Sequence, residues 1–532
     1  MREGSATAAR VWVWDERAGA SGLARVDAVG NAANEQGSGY REANAASFIA
    51  QQDAVIVLGR GEGSWLAARE GERGWSDETG KAASDQNRPW TLYAAGTAGT
   101  GVADHRSVLR RWRRAGLLWE LHSASASDRE KLDSSARDSD AGLLSRDERI
   151  NAAIAEGCRV YCVSVFHLEP IAMQRCGTAA LMRQQQQAQA APAIAVMLAA
   201  DPMLRRVART AVRAVYAAGL DLADVFIALS GEGKTAALAI SRPSREGGRL
   251  AGIWRDAIGA FDAQYAVMRA SAPAQILIGA DPEFVLLRAD GRIAPADRYL
   301  GRMGGAGADA LLVRNRLMYP IGELRPDPSP TPEGLARSVR HQLARANERV
   351  KDRTLRWAAG AMPLPGIALG GHVHVSGAAL TSRILRQLDR YLALPMAMVE
   401  HERGQARRPR YGLLGDFRRQ AHGGFEYRTL PSWLVSPAAA KASFALLLLC
   451  AQDTWRLPYR PALDEQAEAA FYAGDRSMLV NELDSITSEL AAAPSYAQYF
   501  RLIEPLFEAA HRGSVWNEDA DIRIKWRVGP LA

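Results

Sequence analysis

The chain has 532 residues, 48% of them hydrophobic and 23% charged, proportions ordinary for a folded globular protein and a length that allows two or three separate cores. Its net charge of +7 and pI near 9.3 invite a nucleic-acid reading. However, the excess is spread along the chain and most of the 66 basic residues are arginine; with no stacking-aromatic or groove-reading helix motif beside that charge, nucleic acid is not expected as the main partner. Cys158, Cys162, Cys176 and Cys450 show no CxxC spacing and are too few for a disulfide framework. No basic-then-apolar leader and no run of about 18 apolar residues is present, so a cytoplasmic protein without a membrane partner is expected.

In chain order, residues 1–50 are rich in Gly, Ala and polar residues and read as a poorly ordered N-terminus with one strand-like scrap, VWVW at 11–14. AVIVLG at 54–59 is a short buried-strand candidate, and the charged, glycine-rich stretch after it reads as loop. Helical spacing marks 108–122; the Ser/Asp/Arg segment 123–140 reads as a low-complexity insertion. A helix near 146–156 leads into a strand at 159–166, where Cys162 is a small apolar residue rather than a zinc ligand. The Gln-rich run 183–193 is low complexity, and 202–220 is an amphipathic helix. DVFIALSGEGKTAALAIS then alternates on both sides of a glycine turn and predicts a β-hairpin. Its GEGKT is not a phosphate loop, because Ala228 stands where the first glycine of GxxxxGK[ST] belongs. A helix at 254–271 closes an accessory α/β region over 51–271.

From residue 275 the texture changes. GGHVHVSG alternates with period 2, which puts His372 and His374 on one face of a strand and Val373 and Val375 on the other. Three more segments repeat the device: ADPEFVLL with Asp281 and Glu283, YPIGELRP with Glu323 and Arg325, and GFEYRTLP with Glu426 and Arg428. Pro282 inside the first of these predicts an edge strand or a bulge. Thr331 and Pro332 form an N-cap and first-turn pair for a helix running to about 353, and a further helix is expected over about 380–403. The last hundred residues read as largely helical, with no legible chemistry; FALLLLC at 444–450 belongs to a helix too short to span a membrane.

Four such pairs describe a sheet with one face on a core and the other carrying carboxylates, imidazoles and guanidinium groups. Mg²⁺ takes oxygen ligands and is typically held by a few carboxylates together with substrate phosphates. Asp281, Glu283, Glu323 and Glu426 supply oxygens for two such ions, and His372 an imidazole for one. His374, Arg325, Arg418 and Arg428 suit an anion, arginine doing so bidentately. Crowded carboxylates repel one another unless a cation or paired arginines intervene, so a purely structural ion-pair role stays open for each pair. Arg407, Arg408 and Arg410 read either as a phosphate clamp or as a basic loop. Glu400, His401 and Glu402 read as a solvated helix end, since adjacent helical positions point apart. Asp309 and Asp416 read as turn residues.

Together GADPEF, the glycine loop leading to GELRP, GGHVHVSG, and RRPRYGLLGDFR with GFEYRTLPSWLVSP resemble the phage-type COOH–NH2 ligases of type 2, amidoligases of the glutamine synthetase and glutamate–cysteine ligase-like superfamily. The resemblance covers about 275–437 closely. It implies an α+β fold over 272–532: a glutamine synthetase-like catalytic domain with a curved, mainly antiparallel sheet flanked by helices, followed by a helical C-terminal segment and preceded by the α/β accessory region. It implies metal ligands at Asp281, Glu283, Glu323, His372 and Glu426, although Asp281 stands where glutamine synthetase has a longer Glu. It also implies catalytic or phosphate contacts from His374, Arg418, Arg428 and Arg325, with ATP binding extended to Arg408 and Arg410. The activity implied is ATP- and Mg²⁺-dependent (or Mn²⁺-dependent) joining of a small-molecule or peptide carboxylate to an amine through an acyl phosphate. A guanidino-kinase-like phosphotransferase and a non-catalytic binding or scaffold protein are the alternatives the same residues leave open.

Overall fold

The structure, a computed structural model, describes residues 9–14, 23–26, 40–42, 53–58, 90–95, 105–119, 144–177, 194–246, 249–270, 275–313 and 316–529. The low-complexity segments at 123–140 and 183–193, the charged glycine-rich loop after residue 59 and most of residues 1–50 lie outside these. The chain divides into two units, Met1–Ala272 and Pro273–Ala532.

In the first unit, β1 (Val11–Trp14), β2 (Leu23–Val26), β3 (Tyr40–Glu42), β4 (Ala54–Val57) and β5 (Trp90–Tyr93) form a mixed sheet in the order β3-β2-β1-β4-β5. A second sheet, antiparallel, has the order β7-β6-β8-β9, from β6 (Arg159–Phe166), β7 (Glu169–Cys176), β8 (Leu222–Leu229) and β9 (Thr235–Ser241). A small ribbon pairs β10 (Arg245–Glu246) with β11 (Arg249–Leu250). The GEGKT segment is therefore the turn of the expected hairpin, β8 pairing β9 antiparallel. Helices α1 (His105–Arg114), α2 (Arg146–Ala155), α3 (Ile194–Ala200), α4 (Pro202–Ala217) and α5 (Gly252–Ala270) complete the unit. α1 stops short of the expected 122, giving way to a turn at Ala115–Gly116, where Gly116 has φ +64. α2 opens on a capping box, Ser145 accepting from Glu148 N while the Glu148 side chain accepts from Ser145 N. All four cysteines are free thiols, three of them buried.

The second unit is built on β12 (Leu277–Leu287), the long strand at the centre of an antiparallel sheet in the order β14-β15-β12-β17-β19-β18. Its other strands are β13 (Ile293–Ala294), β14 (Ala306–Val313), β15 (Arg316–Leu324), β16 (Arg356–Ala358), β17 (Gly371–Ser376), β18 (Phe417–Arg419) and β19 (Phe425–Tyr427), with β13 and β16 both pairing the far end of β12. Pro282 thus sits in a central strand, not at an edge. Amides alternate sides along a strand. Glu283 N donates to Gly370 O next to β17, so position 282 faces the other way, where registered pairing with β15 begins only at Glu283. The missing N–H interrupts no ladder bond.

Beneath the sheet, Phe284 stacks on Trp357 with centroids 4.9 Å apart; Val285, Leu287, Ile321, Ala358 and Leu369 form a separate buried cluster at the far end of β12. Burying each large apolar side chain contributes roughly 1.5–3 kcal/mol. α6 (Pro332–Arg349) starts where expected, Thr331 Oγ1 accepting from Gly334 N at 3.2 Å. The helix expected over 380–403 is instead α7 (Ser382–Leu388), a π turn (Asp389–Ala393) and α8 (Leu394–Val399). Pro395 explains the interruption: it lacks an N–H and its ring crowds the carbonyl four residues back, which the widened turn relieves. The C-terminal helices are α9 (Pro437–Gln452), α10 (Glu465–Ala473), α11 (Arg476–Val480), α12 (Leu483–Ala491), α13 (Tyr496–His511) and α14 (Ile522–Trp526). No helix among the described residues is long and apolar enough to cross a membrane.

Candidate functional site

Register decides which side chains meet. Asp281 lies opposite His372, Glu283 opposite Glu323, His374 opposite Glu426, and Glu426 opposite Arg418. Because side chains alternate faces, these positions all project to the same side of the sheet, while Val373, Val375, Phe425 and Tyr427 are buried. They line or adjoin a cavity of about 660 Å³, together with Asp309, Arg325, Arg428, Gln420 and His422.

Within it the acidic groups form two sets whose ligand atoms lie within 4.8 Å of one another: Asp281, His372 and Glu426, and Glu283, Asp309 and Glu323. In the first set, His372 Nδ1 is 3.3 Å from Asp281 Oδ1 and 3.3 Å from Glu426 Oε1, and His374 Nε2 is 3.5 Å from Asp281 Oδ2. His372 can turn this edge inward because position 370 is glycine; a Cβ there would stand 2.6 Å from His372 Nε2. Burial works against the charge on Asp281, but the adjacent imidazoles of His372 and His374 hold its carboxyl well below the usual range. Burial also works against the imidazolium of His372, yet the adjacent carboxylate of Asp281 raises its pKa. In the second set, burial pushes Glu283 up to about 7, and burial with the nearby charge of Asp281 does the same to Glu323. Glu283 Oε2 accepts from Gly370 N at 2.6 Å, and Glu323 Oε1 lies 2.6 Å from Arg325 Nε.

These groups fit a divalent cation in each set. Asp281 Oδ1 and Glu426 Oε1 are buried and accept no hydrogen bond, and His374 Nε2 is likewise without a partner. Buried polar atoms left unmatched are costly, and a cation would satisfy them. Carboxylate oxygens with one imidazole are the donors that Mg²⁺ or Mn²⁺ takes. Metal binding would compete with protonation of His372.

Several expectations need correcting. Asp309 is no turn residue: it lies on β14 and joins Glu283 and Glu323. The glycines around it mask its strand pattern, and the bulge between Asp309 and Leu311 breaks the alternation that would have revealed it. Gln420 and His422, also unselected, occupy the short turn between β18 and β19. Arg408 does not reach the cavity. It is buried in an ion pair with Glu400 and packs 4.5 Å from the Phe471 ring centroid. Glu400 is correspondingly no solvated helix end. Arg407 is buried and donates to the carbonyls of Thr429 and Leu430, while Arg410 lies exposed beside Tyr411. A charge run gives no sign of which members turn inward. Asp416 sits in the turn preceding β18, and its carbonyl accepts from Arg428 N.

Residues 278–528 match the family described as phage phiEco32-like COOH·NH2 ligase, type 2. No curated protein matches the chain. Among solved structures, a bifunctional glutathione synthetase from Pasteurella multocida aligns with 47% of this chain at 11% identity and TM-score 0.31, and the chain spans 49% of that protein's length. Apo GmaS without ligand aligns with 67% of this chain and 95% of its own at 14% identity and TM-score 0.27. A GmaS/ADP complex aligns over 68% and 96% at 13% identity and TM-score 0.24.

Proposed function

We propose that the protein, whose residues 278–528 match the family of phage phiEco32-like COOH·NH2 ligases of type 2, joins a carboxylate to an amine at the expense of ATP. The observation that carries the reading is the pair of acidic sets on one sheet face at a single cavity, which Arg325, Arg418 and Arg428 also line.

Asp281, His372 and Glu426 would hold one Mg²⁺ or Mn²⁺ and Glu283, Asp309 and Glu323 another. When bound, such ions neutralise phosphate charge and polarise the phosphoryl group under transfer. Arg325, Arg418 and Arg428 contribute positive charge where the transferred phosphoryl group spreads its negative charge over its oxygens. His374, tied to Asp281, presents its ring to the same space. In this scheme an oxygen of the substrate carboxylate attacks the terminal phosphorus of ATP and ADP departs. The amine nitrogen then attacks the acyl carbon, the C–O bond to phosphate breaks, and phosphate leaves with the bonding electron pair, giving the amide. The cavity's size suits a small acid or the end of a peptide beside the triphosphate.

The test is to incubate the protein with ATP, Mg²⁺, hydroxylamine and, one at a time, free amino acids and short peptides, measuring ADP and acyl hydroxamate. Hydroxamate formed in step with ADP is the expected result. ADP formation that never depends on an amine, or phosphate retained on the acceptor, overturns ligation in favour of simple phosphoryl transfer.

A further inference from the structure

The two oxygens of Glu426 have different surroundings. Its side chain is completely shut from solvent. Oε2 receives Arg418 Nε at 2.7 Å, Arg418 Nη2 at 2.5 Å and Gln420 Nε2 at 2.9 Å. Oε1 accepts no hydrogen bond, although Arg428 Nε lies 2.9 Å away and His372 Nδ1 3.3 Å away. Asp281 Oδ1, also buried and unmatched, stands 3.3 Å from that same His372 nitrogen.

The backbone explains the asymmetry. Arg418 lies opposite Glu426 across β18 and β19, and Gln420, two residues further, falls on the same face. Gln420 is itself fixed, its N–H donating to Gly424 O at 2.8 Å and its carbonyl accepting from Gly423 N at 3.1 Å. The terminal torsion of a glutamate is soft. Pinning one oxygen removes that freedom and leaves the other pointing in a set direction. An amide does this without adding a positive charge close to the seat of a cation.

We propose that Gln420, together with Arg418, is a positioning residue that clamps Oε2 of Glu426 and so presets Oε1, with Asp281 and His372, as the seat of one divalent cation. The inference rests on the metal-binding reading above and names residues that act on a ligand rather than as ligands. Groups that orient a metal ligand typically matter roughly 10–100-fold in metal affinity.

The test is Mn²⁺ titration of the full chain without nucleotide, followed by electron paramagnetic resonance, for the unaltered protein, Gln420→Leu and Gln420→Asn. The unaltered protein should bind two Mn²⁺. Gln420→Leu should weaken one of them roughly tenfold or more, leave the other unchanged and keep the metal-free melting temperature. Gln420→Asn, which keeps a neutral amide donor, should recover part of the loss. Equal affinity at both sites in Gln420→Leu overturns the clamp. So does weakening of both sites alongside a lowered melting temperature, since that marks a structural role. If the unaltered chain binds no Mn²⁺, the metal reading itself fails, a result visible before any substitution is made.

Discussion

Glu426 gathers more charge around it than any other cavity group, with two arginines and a histidine within 3.3 Å of its oxygens. Glu426→Gln keeps the shape but removes the anion, leaving those cations facing one another. Its expected effect is loss of Mg²⁺-dependent ATP binding, roughly 100-fold or more, measured by calorimetry; unchanged binding would show that the carboxylate is only a structural partner. Glu283 and Glu323 make a second prediction. Burial raises both to about 7 from an ordinary 4.5, so the folded chain binds these protons more tightly than the unfolded chain does. Their contribution to stability is therefore present below about pH 4.5 and lost as the pH rises through 7. Asp281 works in the opposite sense, but only below its ordinary 3.8, outside this window. The metal-free protein should melt at a lower temperature at pH 8 than at about pH 5.5, and saturating Mg²⁺ should raise the midpoint more at pH 8, where it need not displace protons. Equal metal-induced shifts at both pH values would contradict the arrangement.

At the scale of single elements, close packing beneath the sheet fixes where the acids point. A Cβ on Gly322 would stand 2.4–2.7 Å from the Phe284 ring, which is stacked on Trp357 and cannot retreat. Gly322→Ala is expected to cost about 1–3 kcal/mol in urea unfolding through overpacking, and, by shifting β15, to weaken Mn²⁺ binding through the neighbouring Glu323. Glu400→Gln acts away from the cavity. It strands the buried Arg408 and should cost about 3–5 kcal/mol while leaving Mn²⁺ affinity unchanged. These examples also show what the sequence carried. Period-2 alternation was enough to place Asp281, Glu283, Glu323, His372, His374 and Glu426 on one sheet face, because alternation is a local property. Asp309 escaped because a bulge broke the pattern, and Pro282 misled because its tolerance depends on where a neighbouring strand begins. Arg408 and Glu400 were illegible for a related reason. They flank the 3₁₀ helix Glu402–Arg407, and Arg408 packs on Phe471, a contact distant in sequence.

For the molecule as a whole, every residue of both acidic sets lies between positions 281 and 426, inside the second unit. A fragment of residues 273–532 should therefore bind Mn²⁺ as the full chain does; a folded fragment lacking that property would mean that residues 1–272 contribute to the site. Two cations are expected to sit side by side on this sheet. Crystals grown with Mn²⁺ and a non-hydrolysable ATP analogue test it most directly through anomalous scattering. Two peaks are predicted, one bounded by Asp281, His372 and Glu426 and the other by Glu283, Asp309 and Glu323, with the triphosphate spanning them. A triphosphate bound elsewhere, or arginines filling both positions with no metal peak, would contradict it.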